Sequence, residues 1–257
     1  MSGGAHFSPA AAREQPAARG ELGAIVSAII PCLDEEEAIF DVVAAVLAHG
    51  VAEVIVVDGG SRDRTVERAA AAGAKVIIER RRGYGRAVQA GIAAVQPEAT
   101  ILLFLDGDGS DRAEFIPALI APIVAHQADF VHGSRLRGER EPGSLSTQQI
   151  AAGRMAGVLM RLVYGARFTD MSPFRAIRRD ALERLGMEEA TFGWNLEMLM
   201  RVAAAGLPAI EIPVGQRRRV GGISKVSGNP VAALEAAATI IATFIRLAVS
   251  LRRARRD

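Results

Sequence analysis

The sequence predicts an α/β fold, with a mostly parallel central sheet and helices on both of its faces. Three observations point there. Short unbroken apolar runs, such as Ile101 to Leu105, have the character of strands buried on both faces. These runs alternate with helical stretches, the pattern of parallel sheets. Three runs also end in carboxylates: one at Asp34 and Glu35, one at Asp58, and one at Asp106 and Asp108. A strand buried on both faces cannot keep charges inside, so the carboxylates gather on one sheet edge, where open α/β sheets bind ligands.

Taken in order, residues 1 to about 22 are rich in Ala, Gly and Pro without apolar periodicity, and read as a disordered leader. No charged segment precedes an apolar one there, so no signal peptide is expected. Ala24 to Pro31 is the first strand. A helix follows to about Ala48, with Asp34 to Glu37 crowding its first turn, where they favour the positive end of its dipole. Glu53 to Asp58 is the second strand, and Ser61 or Asp63 can cap the helix that runs to about Ala72. Lys75 to Glu79 is the third. Gly83-Tyr84-Gly85-Arg86-Ala87 then opens a helix to about Val95. It is not a dinucleotide fingerprint, because the third glycine, Gly91, comes too late.

After the strand at Ile101, a helix spans about Arg112 to Ala125, and a strand at Asp129 to Val131 leads to His132-Gly133-Ser134-Arg135. The second half is less regular. A polar loop over Leu136 to Ser146 precedes a helix from Gln148 to Val163. Beyond Asp170-Met171-Ser172-Pro173-Phe174-Arg175 come a short helix to about Leu185, a helix from Trp194 to Ala205, and a last strand from Pro208 to Val214. Gln216 to Gly228 reads as a flexible basic loop carrying Arg217, Arg218, Arg219 and Lys225.

The 257 residues suffice for one α/β domain. A single cysteine, Cys32, excludes an intrachain disulfide and fits a reducing, cytoplasmic setting, where it reads as inert packing. Net charge is +2, but Arg252 to Asp257 alone contribute +3. The body is therefore not basic, and nucleic acid is not an expected partner.

Asp106 and Asp108, two apart at a strand end, put two hard oxygen ligands on one face, which suits Mg2+ or Mn2+ brought in by a phosphate. A Gly/Asp turn without a ligand accounts for the pattern equally well. A calcium loop is rejected, because Asp111 stands where Gly is required and Pro117 where the bidentate Glu belongs.

Taken together, Pro31-Cys32-Leu33-Asp34-Glu35, Val57-Asp58-Gly59-Gly60-Ser61, Asp106-Gly107-Asp108, Gly133-Ser134-Arg135 and the Asp170 to Arg175 segment resemble the family 2 glycosyltransferases of GT-A fold. The closest likeness is to the dolichyl- and polyprenyl-phosphate sugar synthases, and it covers about residues 24 to 228. The resemblance implies a nucleotide-diphosphate sugar donor and a divalent metal. Pro31, Leu33, Glu35 and Asp58 would line the nucleotide site. Asp106 would face the ribose and metal, with Asp108 as main metal ligand. Arg135 would contact the donor sugar or phosphates, and Asp170 and Arg175 would shape the sugar and acceptor side. Arg219 and Lys225 would close over the diphosphate. Three positions depart from the family pattern: Asp34 stands for its usual Asn, Ser110 for Gln, and Pro173 for Gly.

The chemistry agrees with this. A metal at Asp108, helped by cations, would neutralise the charge that develops on a nucleoside-diphosphate leaving group. A hydroxyl acceptor needs a general base, and the helix starting Trp194-Asn195-Leu196-Glu197 offers only Glu197 where relatives place a Glu-Asp pair. A phosphate acceptor needs none, so a lipid phosphate is favoured. The alternatives are a hydroxyl acceptor on a glycolipid or small metabolite, with Glu197 or Asp170 as base, and a sugar-nucleotide pyrophosphorylase-like enzyme.

Residues 229 to 257 form the last expected unit. Val231 to Leu251 carries Glu235, Thr239, Thr243, Arg246 and Ser250 in one polar stripe, and four arginines follow. It reads as an amphipathic helix lying peripherally on an anionic membrane surface, on a second copy of the chain, or on the protein's own body.

Overall fold

The computed structural model describes residues 22–221 and 241–251. The leader up to residue 21, Lys225 and the arginine tail lie outside the described residues. The elements are β1 (Val26–Cys32), α1 (Ile39–Ala48), β2 (Glu53–Asp58), α2 (Thr65–Ala71), β3 (Lys75–Ile78), α3 (Tyr84–Ala93), β4 (Ile101–Phe104), a 3-10 turn (Ala113–Phe115), α4 (Ile116–Val124), β5 (Phe130–Ser134), α5 (Thr147–Tyr164), β6 (Arg175–Arg178), α6 (Arg179–Leu185), α7 (Trp194–Ala205) and β7 (Ala209–Pro213). Residues 241–251 are helical and are labelled α8.

The strands form one sheet in the order β3-β2-β1-β4-β6-β5-β7. All neighbours are parallel except β6, which runs antiparallel between β4 and β5. The C-terminal ends of the other strands and the start of β6 therefore share one edge. Side chains alternate across the sheet. Ile29, Ile55, Val57, Leu102 and Phe104 point into one core with α3, α5, α6, α7 and α8. Ala28, Ile30, Val54, Val56 and Leu103 point into the other with α1, α2 and α4. Each fully buried aliphatic contributes about 1.5–3 kcal/mol, so this double-sided burial holds the strand ends in register.

Three expectations need correction. Strand β6 was not anticipated. Its four residues, Arg-Ala-Ile-Arg, carry little apolar signal, and they become a strand by pairing with both β4 and β5. Asp34 to Glu37 precede α1 rather than entering its first turn, where Asp41 is the acidic residue. The first part of the basic loop is anchored: Gln216 is buried and bridged to Asp111 and Arg140. Of the placements expected for the C-terminal helix, α8 takes the one on the protein's own body, burying Phe244 and Leu247 in the core while Ile241, Ile245 and Val249 stay exposed. No described helix is long and apolar enough to cross a membrane.

Candidate active site

The shared edge splits into a first half, at the ends of β1, β2 and β4, and a second half, at β5, β6 and the start of α7. In the first half, register places Cys32 beside Asp58. The Asp58 carboxylate is buried, and Oδ2 accepts from the backbone N–H of Gly60 at 2.8 Å and Ser61 at 2.9 Å. The Ser61 hydroxyl donates to Oδ1. Asp58 thus builds the turn that follows it. That turn is stitched to the segment after β1: Asp34 N–H donates to Ser61 Oγ at 2.9 Å, and Asp34 Oδ1 accepts from Arg62 N–H at 2.8 Å. Asp34 sits at φ 54°. Asn and Asp tolerate this left-handed region best, which explains why Asp can replace the family's Asn. The Cys32 thiol is buried against the Ile30 carbonyl, and burial and nearby carboxylates push its pKa up, so it is inert packing.

Past β4, Gly107 lies so close to β1 that a Cβ there would sit 2.3 Å from Cys32 Sγ. Only glycine lets the chain turn here and bring three carboxylates together. Asp108 Oδ1 accepts from Ser110 N–H at 2.9 Å, and Asp111 Oδ2 from Asp106 N–H at 3.0 Å. Burial, Asp111 and Asp108 raise the Asp106 pKa well above its ordinary value, and burial foremost raises Asp111 to about 7. Crowded anions of this kind favour a cation. Among the described residues, no group of three or more His, Cys, Asp or Glu is set to enclose a metal. A cation here would have Asp106 and Asp108 as its protein ligands and would need its remaining ligands from a phosphate.

Arg219 bridges this region. Its Nη2 lies 2.7 Å from Glu35 Oε1 and 3.9 Å from Asp108 Oδ2. It is held there because Arg217 N–H donates to the Ser110 carbonyl and Val220 N–H to that of Asp108, both at 3.0 Å. Pro31 and Leu33 stand at the end of β1, on the same sheet edge.

In the second half, Arg135 donates to Asp170 through Nε (2.8 Å), Nη2 (2.9 Å) and its backbone N–H (3.0 Å). Asp170 also accepts from Met171 N–H at 2.7 Å, and these interactions, Arg135 first, hold its pKa down at about 2 despite its burial. His132 Nε2 donates to the Asp170 carbonyl at 3.0 Å from behind. Arg175 is 1% exposed, and its guanidinium donates to the carbonyls of Pro173, Asn195 and Ser172. Burial lowers its pKa only to about 10, so it remains a cation. Glu197, in α7, is fully buried. It accepts from Glu189 N–H at 2.8 Å, from Glu188 N–H at 3.1 Å and from Arg201 Nε at 2.8 Å.

The fold thus gathers Glu35, Asp58, Asp106, Asp108 and Arg219 at one end of the edge, and Arg135, Asp170 and Arg175 at the other. Glu197 is turned into the loop before α7. Three residues were not anticipated from sequence. Asp111 closes the carboxylate turn. His132 backs Asp170. Tyr84 has its hydroxyl 3.4 Å from Asp106 Oδ1 and its ring stacked on Phe192, with centroids 6.2 Å apart.

The family model described as "Glycosyl transferase family 2" matches residues 27–186. An uncharacterized glycosyltransferase of Mycobacterium tuberculosis is 40% identical over 212 residues, covering 80% of this chain and 92% of that protein. A dolichyl-phosphate hexose transferase of Haloferax volcanii is 34% identical over 76% of this chain and 84% of its own length. An undecaprenyl-phosphate mannosyltransferase of Micrococcus luteus is 31% identical over 70% and 77%. Among solved structures, Mycobacterium tuberculosis glucosyl-3-phosphoglycerate synthase in complex with Mn2+, UDP-glucose and phosphoglyceric acid superposes with a TM-score of 0.69. It is 23% identical, covering 88% of this chain and 80% of that one, and shows a shared fold.

Proposed function

The chain belongs to glycosyl transferase family 2, and from that premise we propose that it moves a hexose from a nucleotide-diphosphate sugar to a lipid phosphate, with inversion and with a divalent metal. The observation that carries the acceptor assignment is that both candidate bases are occupied. Asp170 is locked by Arg135, and Glu197 is buried under three donors. Neither of these two carboxylates is free to take a hydroxyl's proton, whereas a phosphate oxygen attacks without a base.

In this reading Asp106 and Asp108 hold Mg2+ or Mn2+, which when bound supplies Lewis-acid stabilisation of the departing diphosphate. Arg219 leaves Glu35 for the diphosphate, joined by Lys225. Asp58 and the turn it shapes, with Pro31, Leu33 and Glu35, frame the nucleotide. Arg135 contacts the donor sugar or its phosphates, and Asp170 and Arg175 shape the side from which the acceptor phosphate reaches the anomeric carbon, on the face opposite the leaving group. One phosphate oxygen bonds to that carbon as its bond to the diphosphate breaks, and no proton moves. The relatives named as acting on dolichyl and undecaprenyl phosphates support this reading.

The same side of the site would also face a small phosphorylated acceptor, such as the phosphoglyceric acid bound by the mycobacterial synthase. The test is transfer from labelled UDP- and GDP-hexoses with Mn2+ to undecaprenyl phosphate or to 3-phosphoglycerate. Label extracted into organic solvent supports the lipid reading. Label found only in a water-soluble phosphoester supports the second.

A further inference from the structure

We propose that the outer face of α5, continued by the exposed stripe of α8, is the surface through which this enzyme meets an anionic lipid bilayer. The inference rests on the lipid-phosphate reading above and names the partner surface that serves it.

Helix α5 has 18 residues and no Asp or Glu. Gly153, Ala156 and Met160 are buried on its inner side. Arg154, Val158, Arg161 and Leu162 occupy the opposite side at helical spacing, with Val158 57% and Leu162 77% exposed. Cations interleaved with large exposed aliphatics, without a single carboxylate, suit the headgroup boundary of an anionic membrane. Helix α6 is built differently: it carries charges of both signs, which pair as Arg179–Glu183 and Asp180–Arg184.

Helix α5 also joins the active site to the C-terminal helix. At its start, a Cβ on Gly153 would lie 3.1 Å from Asp170 Oδ1, so the helix forms the wall behind the Arg135–Asp170 pair. At its end, the ring of Tyr164 meets Phe244 of α8, with centroids 6.2 Å apart. Helix α8 exposes Ile241, Ile245 and Val249 at four-residue steps, and the chain continues directly into four arginines, the complement of an anionic surface.

The test uses the full chain with vesicles of equal parts phosphatidylcholine and phosphatidylglycerol. The wild type is expected to sediment with them at low salt and to be released at high salt. Val158→Glu/Leu162→Glu changes only exposed positions and should bind about tenfold more weakly or worse, because it adds repelled charge to an apolar contact. Its melting temperature, and the rise in that temperature on adding UDP or GDP with Mn2+, should match the wild type. Val158→Ser/Leu162→Ser serves as the milder variant.

Wild type that stays in the supernatant, or variants that sediment like wild type, would overturn the proposal. So would a wild-type dimer that the glutamates convert to monomer, which would assign the face to a second copy. Vesicle binding through α5 without transfer to polyprenyl phosphate would remove the acceptor reading and leave the surface standing. Transfer to polyprenyl phosphate with vesicle binding unaltered by the variants would do the reverse.

Discussion

Arg135 holds Asp170 by two parallel bonds, Nε to Oδ2 at 2.8 Å and Nη2 to Oδ1 at 2.9 Å, with both side chains buried. Removing one partner strands the other as a buried charge. Asp170→Asn is therefore expected to cost about 3–5 kcal/mol in urea unfolding. A loss below about 1 kcal/mol would mean that Arg135 finds water or another partner.

His132 lies behind that pair, against Phe130 and Phe168, and burial foremost, then Arg175, pushes its pKa down to about 3. In the unfolded chain it titrates near about 6.5. Between those values the unfolded chain binds a proton that the native state refuses. Its contribution to stability is therefore full above about pH 6.5 and falls by about 1.4 kcal/mol per pH unit toward about pH 3. His132→Gln keeps a donor for the Asp170 carbonyl and should flatten that slope. Identical slopes in wild type and variant would show that His132 is protonated in the native state.

Excess EDTA should stop turnover, and Mn2+ or Mg2+ should restore it. Asp108→Ala should be inactive yet melt at the same temperature or higher, because it takes one charge out of the cluster with Asp106 and Asp111. Full turnover in EDTA would remove the metal from the account.

Glu197→Gln separates a base from a brace. A general base is worth about 10²–10⁴ in rate, with a matching change in the pH profile. A brace for the loop at Glu188 and Glu189 should instead cost about 1–3 kcal/mol of stability and leave the shape of the pH profile unaltered. Loss of the acidic limb of that profile would restore Glu197 as the base.

Strands β1, β2 and β4 and their carboxylate ends were legible because fully buried runs leave an unambiguous apolar signal, and charges must leave the sheet where those runs stop. β6 was not legible, since Arg175 and Arg178 bracket two small or aliphatic residues and the pairing comes from its neighbours. Tyr84 and Asp111 stood in view, one between two glycines and the other three residues past Asp108. Their roles depend on how distant segments close. The same holds for Glu197, whose position at the start of a helix suggested chemistry and whose partners, nine and eight residues back, gave it a structural place.

The central claim is that this site glycosylates a phosphate and not a hydroxyl, and one comparison tests it most directly. Wild-type enzyme, saturated with its sugar nucleotide and Mn2+ in detergent, is offered a polyprenyl phosphate and the polyprenol of the same chain length. The account predicts sugar transfer to the phosphate and none to the alcohol above the rate of donor hydrolysis, because Asp170 and Glu197, the two candidate bases, are already held by other groups. Comparable transfer to both would contradict it.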